Sequence, residues 1–266
     1  LMAGFPLHSF TKWKDILLDE GFTIVKIEQD SNGVANPERE ITEILSPGLN
    51  LDTNQYSNNI MSVYIEEIKD YKTGKKILTL GLAIADINTG QTYIYENHST
   101  PNDYIFCMDE VFRFVQLYNP MEIVITNHIP DMSKEEFYKY LSLDGNNVHY
   151  NYYNKKEYEY MLQPKFKEEI LKKVYPNTGM VNPIEYICLE RSHFALNAYI
   201  YLIQFIFEHN ENNISKLNKP IYCEPNRHLV LSLDSIKQLN IIDSEHCKGI
   251  SSLWDIVNKT NTCMGK

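Results

Sequence analysis

The chain has 266 residues, 43 % of them hydrophobic and 23 % charged, with 19 Tyr and 11 Phe. This is the composition of a soluble globular protein of about two domains, and disorder over the whole length is excluded. Acidic residues outnumber basic ones 35 to 25, a net charge of -10, which opposes binding of a phosphate backbone by the surface as a whole and leaves only local contacts.

In chain order, Ser9 is placed to cap a helix running to about Glu20, with Phe10, Trp13 and Leu17 on one face and Gly21 as the stop. Strands are expected at 22–29 and 39–46, the second ending at Pro47-Gly48, and together they make a small α/β unit. Residues 50–59 are polar and poor in apolar anchors, the mark of a linker. Strands follow at 61–68, 76–86 and 91–95, joined by turns through Asp70 to Gly74 and Asn88-Thr89-Gly90. Thr100 is placed to cap a helix through Tyr118, with Ile105, Val111, Phe112 and Val115 facing a sheet, and Asn119-Pro120 ends it before a strand at 121–126. Ser133 opens a helix to about Leu143. A strand near 148–152 and a helix at 165–174 complete the order β-β-β-α-β-α-β-α, that of a mixed sheet covered by helices and also that of ribonuclease-H-like folds. From Asn182 the pattern turns wholly helical. Its longest segment, 190–209, carries a stripe of Phe194, Ala198, Tyr201, Leu202, Phe205 and Ile206 that calls for a second helix bundle as cover. An extended piece at 227–231, a cap at Asp234 and a last helix at 251–262 follow. No period of 20 to 50 residues repeats.

The five cysteines, Cys107, Cys188, Cys223, Cys247 and Cys263, are odd in number and form no tight pair, which points to ordinary thiols in an intracellular, reducing compartment. No apolar run reaches the roughly 20 residues of a membrane span, and the first residues lack the basic and apolar regions of a secretory signal. Met2 at the start, and Thr262 to Lys266 directly after a periodic helix, read as the ends of a fragment.

Motifs for chemistry are sparse. No glycine-rich phosphate loop, nucleophile elbow, zinc-protease helix or calcium loop is present. His246-Cys247 with Cys263 lacks the paired spacing of a zinc site, so no metal is assigned. A two-metal nuclease would draw its carboxylates from Glu66, Asp86, Asp109 and Glu122, but these read as solvated edge residues, and no catalytic residue is assigned. Tyr150, Tyr152, Tyr153 and Tyr158 could be mistaken for a stacking platform for single strands, yet their near-neutral surroundings favour surface packing.

Several segments carry a family resemblance. Met2-Ala3-Gly4-Phe5-Pro6-Leu7-His8, the helix after it and Gly21 to Gln29 resemble the latter part of the mismatch-recognition domain of the MutS family of DNA mismatch-repair ATPases. Arg39-Glu40 and Ser46-Pro47-Gly48 resemble the exit from that domain, and Gly81 to Asp86 with Thr89-Gly90 the early strands of its connector domain. Leu233-Asp234, Leu239-Asn240-Ile241, Ser252 to Asp255 and Thr262 to Lys266 resemble the approach to its helical core. Between Asn97 and Arg227 the match is one of architecture.

The resemblance implies a division into the end of the recognition domain (1–49), a linker (50–60), a ribonuclease-H-like connector (61–178) and the start of the helical core (179–266). It implies a parent that binds mismatched or distorted duplex DNA, uses ATP and Mg, meets a MutL-type partner and forms a homo- or heterodimer, while this segment itself holds no cofactor. The Phe-x-Glu element with which bacterial members probe the mismatch lies upstream of residue 1, so Phe5 is not given that role. Lys12, Lys14 and Lys26 become candidates for the DNA backbone, contacts that position a duplex without reading its sequence. Asn50, Asn59 and Gly179, within the polar stretches 50–59 and 178–182, become hinge candidates. Two alternatives stay open: a partner-binding module without DNA or ATP activity, and a metal-dependent ribonuclease-H-like nuclease.

Overall fold

The computed structural model describes residues 7–29, 39–49, 58–70, 74–141, 143, 147–153, 156–209, 211–224, 235, 238–241, 252–257 and 259. The first unit is built by helix α1 (Phe10–Asp19) and the antiparallel strands β1 (Ile24–Gln29) and β2 (Arg39–Leu45). Gly21 stops α1 with a φ of 83°, a conformation glycine adopts without a steric cost. Ser9 occupies the cap position, but its side chain makes no capping bond. A buried 3-10 turn, Pro47–Leu49, leads out of β2.

The rest of the fold is organised by a mixed six-stranded sheet. Strands β3 (Asn59–Lys69), β4 (Lys76–Asp86) and β5 (Thr92–His98) form an antiparallel meander. The return strands β6 (Glu122–His128) and β7 (Val148–Tyr150) run parallel to β3, and β8 (Ile221–Tyr222) runs parallel to β5. The order across the sheet is β7-β6-β3-β4-β5-β8. Its central strands are buried on both faces, which is why they read as nearly unbroken apolar runs. The turns behave as their residues require, Gly74 and Gly90 taking φ of 67° and 72°.

Each face has its own helical cover. Met61, Val63, Ile65, Leu80, Leu82 and Ile125 pack under α2 (Phe106–Tyr118) and α3 (Lys134–Leu141). Ser133 and Glu136 close a reciprocal capping box at the start of α3. Helix α2 begins at Phe106 rather than after Thr100, because Thr100 and Asp103 exchange backbone hydrogen bonds and close a turn first. The opposite face, with Ile60, Tyr64, Ala83 and Ala85, packs under α6 (His193–His209) and α4 (Pro164–Val174).

The cover of α6 differs from the expectation. Its stripe lies on the sheet instead of a second helix bundle, and Leu196, Tyr199, Ile200 and Ile203 on its other sides are buried as well. A helix apolar all round is stable only when buried all round. Gly81 permits the close approach: a Cβ there would lie 2.0 Å from the Phe194 carbonyl oxygen. Beside it, the Glu96 carboxylate accepts from the Ala195 N–H at 2.8 Å and so satisfies an orphan donor of the first helical turn.

A helical segment follows the sheet, with α5 (Pro183–Tyr186), α6 and α7 (Glu211–Ile214), but β8 interrupts it, so the region after Asn182 is not wholly helical. The expected piece at 227–231 and the cap Asp234 lie outside the described residues, as do Met2 to Pro6. The last helix is described over Leu253–Val257. Among the described residues no helix is long and apolar enough to cross a membrane.

Candidate functional site

The structure places the sequence-derived candidates in three regions. Lys12 stands exposed on α1, whereas Lys14, two positions on, is 8 % exposed with its ammonium 3.8 Å from Asp15. Lys26 on β1 is engaged by Glu28 at 2.7 Å, and that hydrogen bond, with Glu43 nearby, holds its ammonium above the ordinary lysine value. Asn50 lies outside the described residues. Asn59 is the first residue of β3, and its amide donates to the Tyr118 carbonyl at 2.8 Å. Gly179 has a φ of 65° with nothing near a would-be Cβ, beside the fully exposed Met180. Asn182 closes that stretch by capping α5, its side chain accepting from the Ile184 N–H.

The four carboxylates weighed for metal chemistry are held apart in different roles. Asp86 accepts from Asn88 N–H and Thr89 Oγ1 in the turn after β4, Glu66 accepts from Tyr64, and Asp109 accepts from Tyr140. Among the described residues no group of three or more His, Cys, Asp or Glu side chains could hold a metal ion. His246, Cys247 and Cys263 lie outside those residues.

Glu122 is not the solvated edge residue that its position after Pro120 suggests. It is 1 % exposed and accepts from Ser46 Oγ at 3.2 Å, and the Gly48 N–H also bonds it. Burial pushes its carboxyl up to about 7, against these two donors, which pull it down. His149 Nε2 stands 4.0 Å away, but burial and the nearby His209 push that imidazole down to about 4, so at neutral pH the contact is no ion pair. The missed signal was the neighbouring run Ile123-Val124-Ile125, since a parallel strand buried on both faces also buries its first residue.

The tyrosine cluster serves packing. Tyr153 is buried, stacks on Tyr201 with ring centroids 5.3 Å apart and donates to Glu208, while Tyr150 packs against Phe137 and Tyr138. Of the described thiols, Cys107 is buried with its pKa raised to about 12 by desolvation, and Cys188 is exposed.

Comparison with known proteins adds what the geometry alone does not. The family model of MutS domain I matches residues 1–54. A putative DNA mismatch repair protein, a mutS homolog of Acanthamoeba polyphaga mimivirus, is 33 % identical over 287 aligned positions that take in 99 % of this chain and 25 % of that protein. The chain is homologous to MutS-family proteins. The DNA mismatch repair protein MutS of Caldanaerobacter subterraneus is 25 % identical over 99 % of the chain and 28 % of its own length. That of Clostridium botulinum strain Langeland is 26 % identical over 99 % of the chain and 26 % of its own length. The chain thus spans about a quarter of the length of these relatives.

The MutS domain I match takes in α1, β1, β2 and the turn Pro47–Leu49, the elements that end on Glu122. Beyond it, Gly81 to Asp86 forms the second half of β4, where the absence of a side chain at Gly81 seats α6.

Proposed function

We propose that the chain is the part of a mismatch-repair ATPase that couples the DNA-probing domain to the levers of the nucleotide-binding machinery, in a protein that binds mismatched or distorted duplex DNA. The observation that carries this reading is collinearity. A MutS domain I match at 1–54 is followed by alignment over 99 % of the chain to MutS proteins of which it is about a quarter.

The meander β3-β4-β5 with β6 and β7 added parallel to β3 is the order of a ribonuclease-H-like connector, and it supports that assignment for residues 61–178. In this reading residues 1–49 close the recognition domain, 50–60 join it to the connector, and 179–266 begin the helical core. Helix α6, which this reading assigns to the start of the helical core, packs on the connector's sheet. ATP and Mg belong to the parent, since no phosphate loop occurs in these 266 residues. Lys12, Lys14 and Lys26 approach the duplex backbone, Asn50, Asn59 and Gly179 mark the hinges, and a MutL-type protein and a second subunit are the partners.

A specific observation favours a second reading, a partner-binding module without DNA or ATP activity: Lys14 is buried and Lys26 is held by Glu28, which leaves little cation for a phosphate. Fluorescence anisotropy with matched and mismatched duplexes, together with ATP turnover, separates the two when run on the 266-residue chain and on the product of its uncut gene. The coupling role requires a longer product that prefers the mismatch and hydrolyses ATP, while the chain alone does neither. A gene product that captures a MutL-type protein but has no affinity for duplex and no phosphate loop establishes the binding module instead.

A further inference from the structure

The residues on either side of the polar stretch 50–59 meet at one place on the sheet. Ser46, Pro47, Gly48 and Leu49 are buried, and so are Asn58, Asn59 and Ile60. A Cβ on Gly48 would stand 3.2 Å from Ile60 Cγ1 and 3.2 Å from Glu122 Cγ. Both sides are also bonded to the sheet. Ser46 Oγ donates to the Glu122 carboxylate at 3.2 Å, and the Gly48 N–H bonds the same group. The Asn58 carbonyl accepts from the Ile87 N–H at 3.1 Å, and the Asn59 carbonyl from the Met121 N–H at 2.8 Å. Toward the N-terminal unit this burial stops at Leu45. Ile44 and Leu45 are half-buried, and Ile41 is 62 % exposed, against 0 % at Ser46. Val25 and Ile27, which pair with Ile44 and Ile41 from β1, are exposed as well.

We propose that the N-terminal unit pivots at Leu45–Ser46, and that the buried turn from Ser46 to Leu49 belongs mechanically to the sheet and delivers the unit's movement to Glu122 at the head of β6. Such a pivot rests on the coupling role, and it places the first hinge just ahead of Asn50 and Asn59.

A hinge residue must be free to change its backbone angles. Asn59 is not: it pairs with Asp86 in the ladder of β3 and β4, its side-chain amide donates to the Tyr118 carbonyl and its own carbonyl is held by Met121. A segment whose two ends are fixed to one body transmits no displacement between two bodies, whatever its length. Lifting the turn instead would expose Leu49 and strip the Glu122 carboxylate of both donors, so the turn stays seated while the chain bends before it. Movement of the unit therefore reaches the middle of the sheet, where β6 lies beside β3, without slack in between.

Spin labels on keto side chains introduced at Lys12 on α1 and Lys139 on α3, both exposed, leave the cysteines untouched and report the movement of the 266-residue chain as a distance distribution. Four Gly-Ser residues inserted after Asn54 should leave its width unchanged. Gly48→Val drives a side chain into Glu122 and Ile60 and frees residues 46–49, so the width should grow by up to about 13 Å, the span of four extended residues. A broader distribution on insertion, or an unchanged one in Gly48→Val, overturns the pivot while leaving a hinge elsewhere and the coupling role standing. Should Gly48→Val fail to fold, the insertion decides alone, an unchanged width supporting the pivot and a broader one overturning it. A wild-type distribution no wider than that of labels at Lys139 and Lys216, both within the sheet and its cover, overturns the pivot and the first hinge of the coupling role together.

Discussion

Replacing Gly81 by alanine tests whether α6 owes its position to the missing side chain in β4. The added Cβ would sit 2.0 Å from the Phe194 oxygen, 2.2 Å from its carbonyl carbon and 2.7 Å from Ala195 N, all backbone atoms that no rotamer change can remove. An ordinary contact needs at least about 3.4 Å, so the start of α6 must retreat by more than about 1 Å; a gap of that size forfeits a quarter to a half of each dispersion contact along the seam. Overpacking of this kind costs about 1–3 kcal/mol. The bond from Ala195 N–H to Glu96 breaks with it and leaves a half-buried carboxylate short of a donor, about 1–3 kcal/mol more. A loss of about 2–6 kcal/mol is a large part of the stability of a typical domain. Urea unfolding followed by far-UV circular dichroism gives the measurement, with Gly74→Ala as control. Gly74 has open space around it and only its φ of 67° to strain an alanine, so about 1 kcal/mol is expected there. If Gly81→Ala is no more destabilising than Gly74→Ala, the account of α6 fails.

Three further outcomes follow from local contacts. Ser133→Ala breaks the capping box of α3 and should cost about 1 kcal/mol, read as a shift of the urea midpoint. Among the described thiols, Cys188 should react with an aromatic disulfide at pH 8 in the folded chain, whereas Cys107, buried and with its pKa raised to about 12, should react only on unfolding; peptide mapping distinguishes them. His149, depressed to about 4, binds its proton more readily in the unfolded chain, so it removes stability as pH falls from about 6.5 toward 4. His149→Phe keeps a ring against Phe205 and should flatten that acid limb in pH-dependent melting; an unchanged limb assigns the acid sensitivity to other groups.

What the sequence made legible was whatever local chemistry decides. Strand β4 matches its expected limits because Gly74 and Asn88-Thr89-Gly90 turn the chain on both sides of an apolar run, and α4 is fixed by Pro164 at its first turn and its apolar spacing. Elsewhere tertiary contacts won. Ser99 continues the pairing with Leu78 through both its backbone and its hydroxyl, so the chain must still turn before α2 and Thr100 has no helix to cap. The partner of α6 was invisible because a stripe of apolar residues does not say whether a sheet or a helix will cover it. For the site, the exposure of Lys12 and the burial of Lys14 are set by packing, whereas the acidic partners Asp15 and Glu28 are sequence neighbours of Lys14 and Lys26, Glu28 lying two residues on along the same face of β1. The burial of Glu122 is legible in the apolar run that follows it, but its partners Ser46 and Gly48, far away in the chain, are not.

The closing of β5 by β8 has a consequence for how the chain is made. Tyr93 and Ile94 pair with Ile221 and Tyr222, and the Thr92 hydroxyl donates to the Asn218 carbonyl, across a separation of 126 residues. On the ribosome the meander can form while that outer edge still has no neighbour, exposing unpaired backbone donors and acceptors until the far strand emerges. Slowing translation between Asn97 and Pro220 should therefore prolong the interval in which two nascent chains can join edge to edge, and the yield of native protein should fall through aggregation rather than through lost stability.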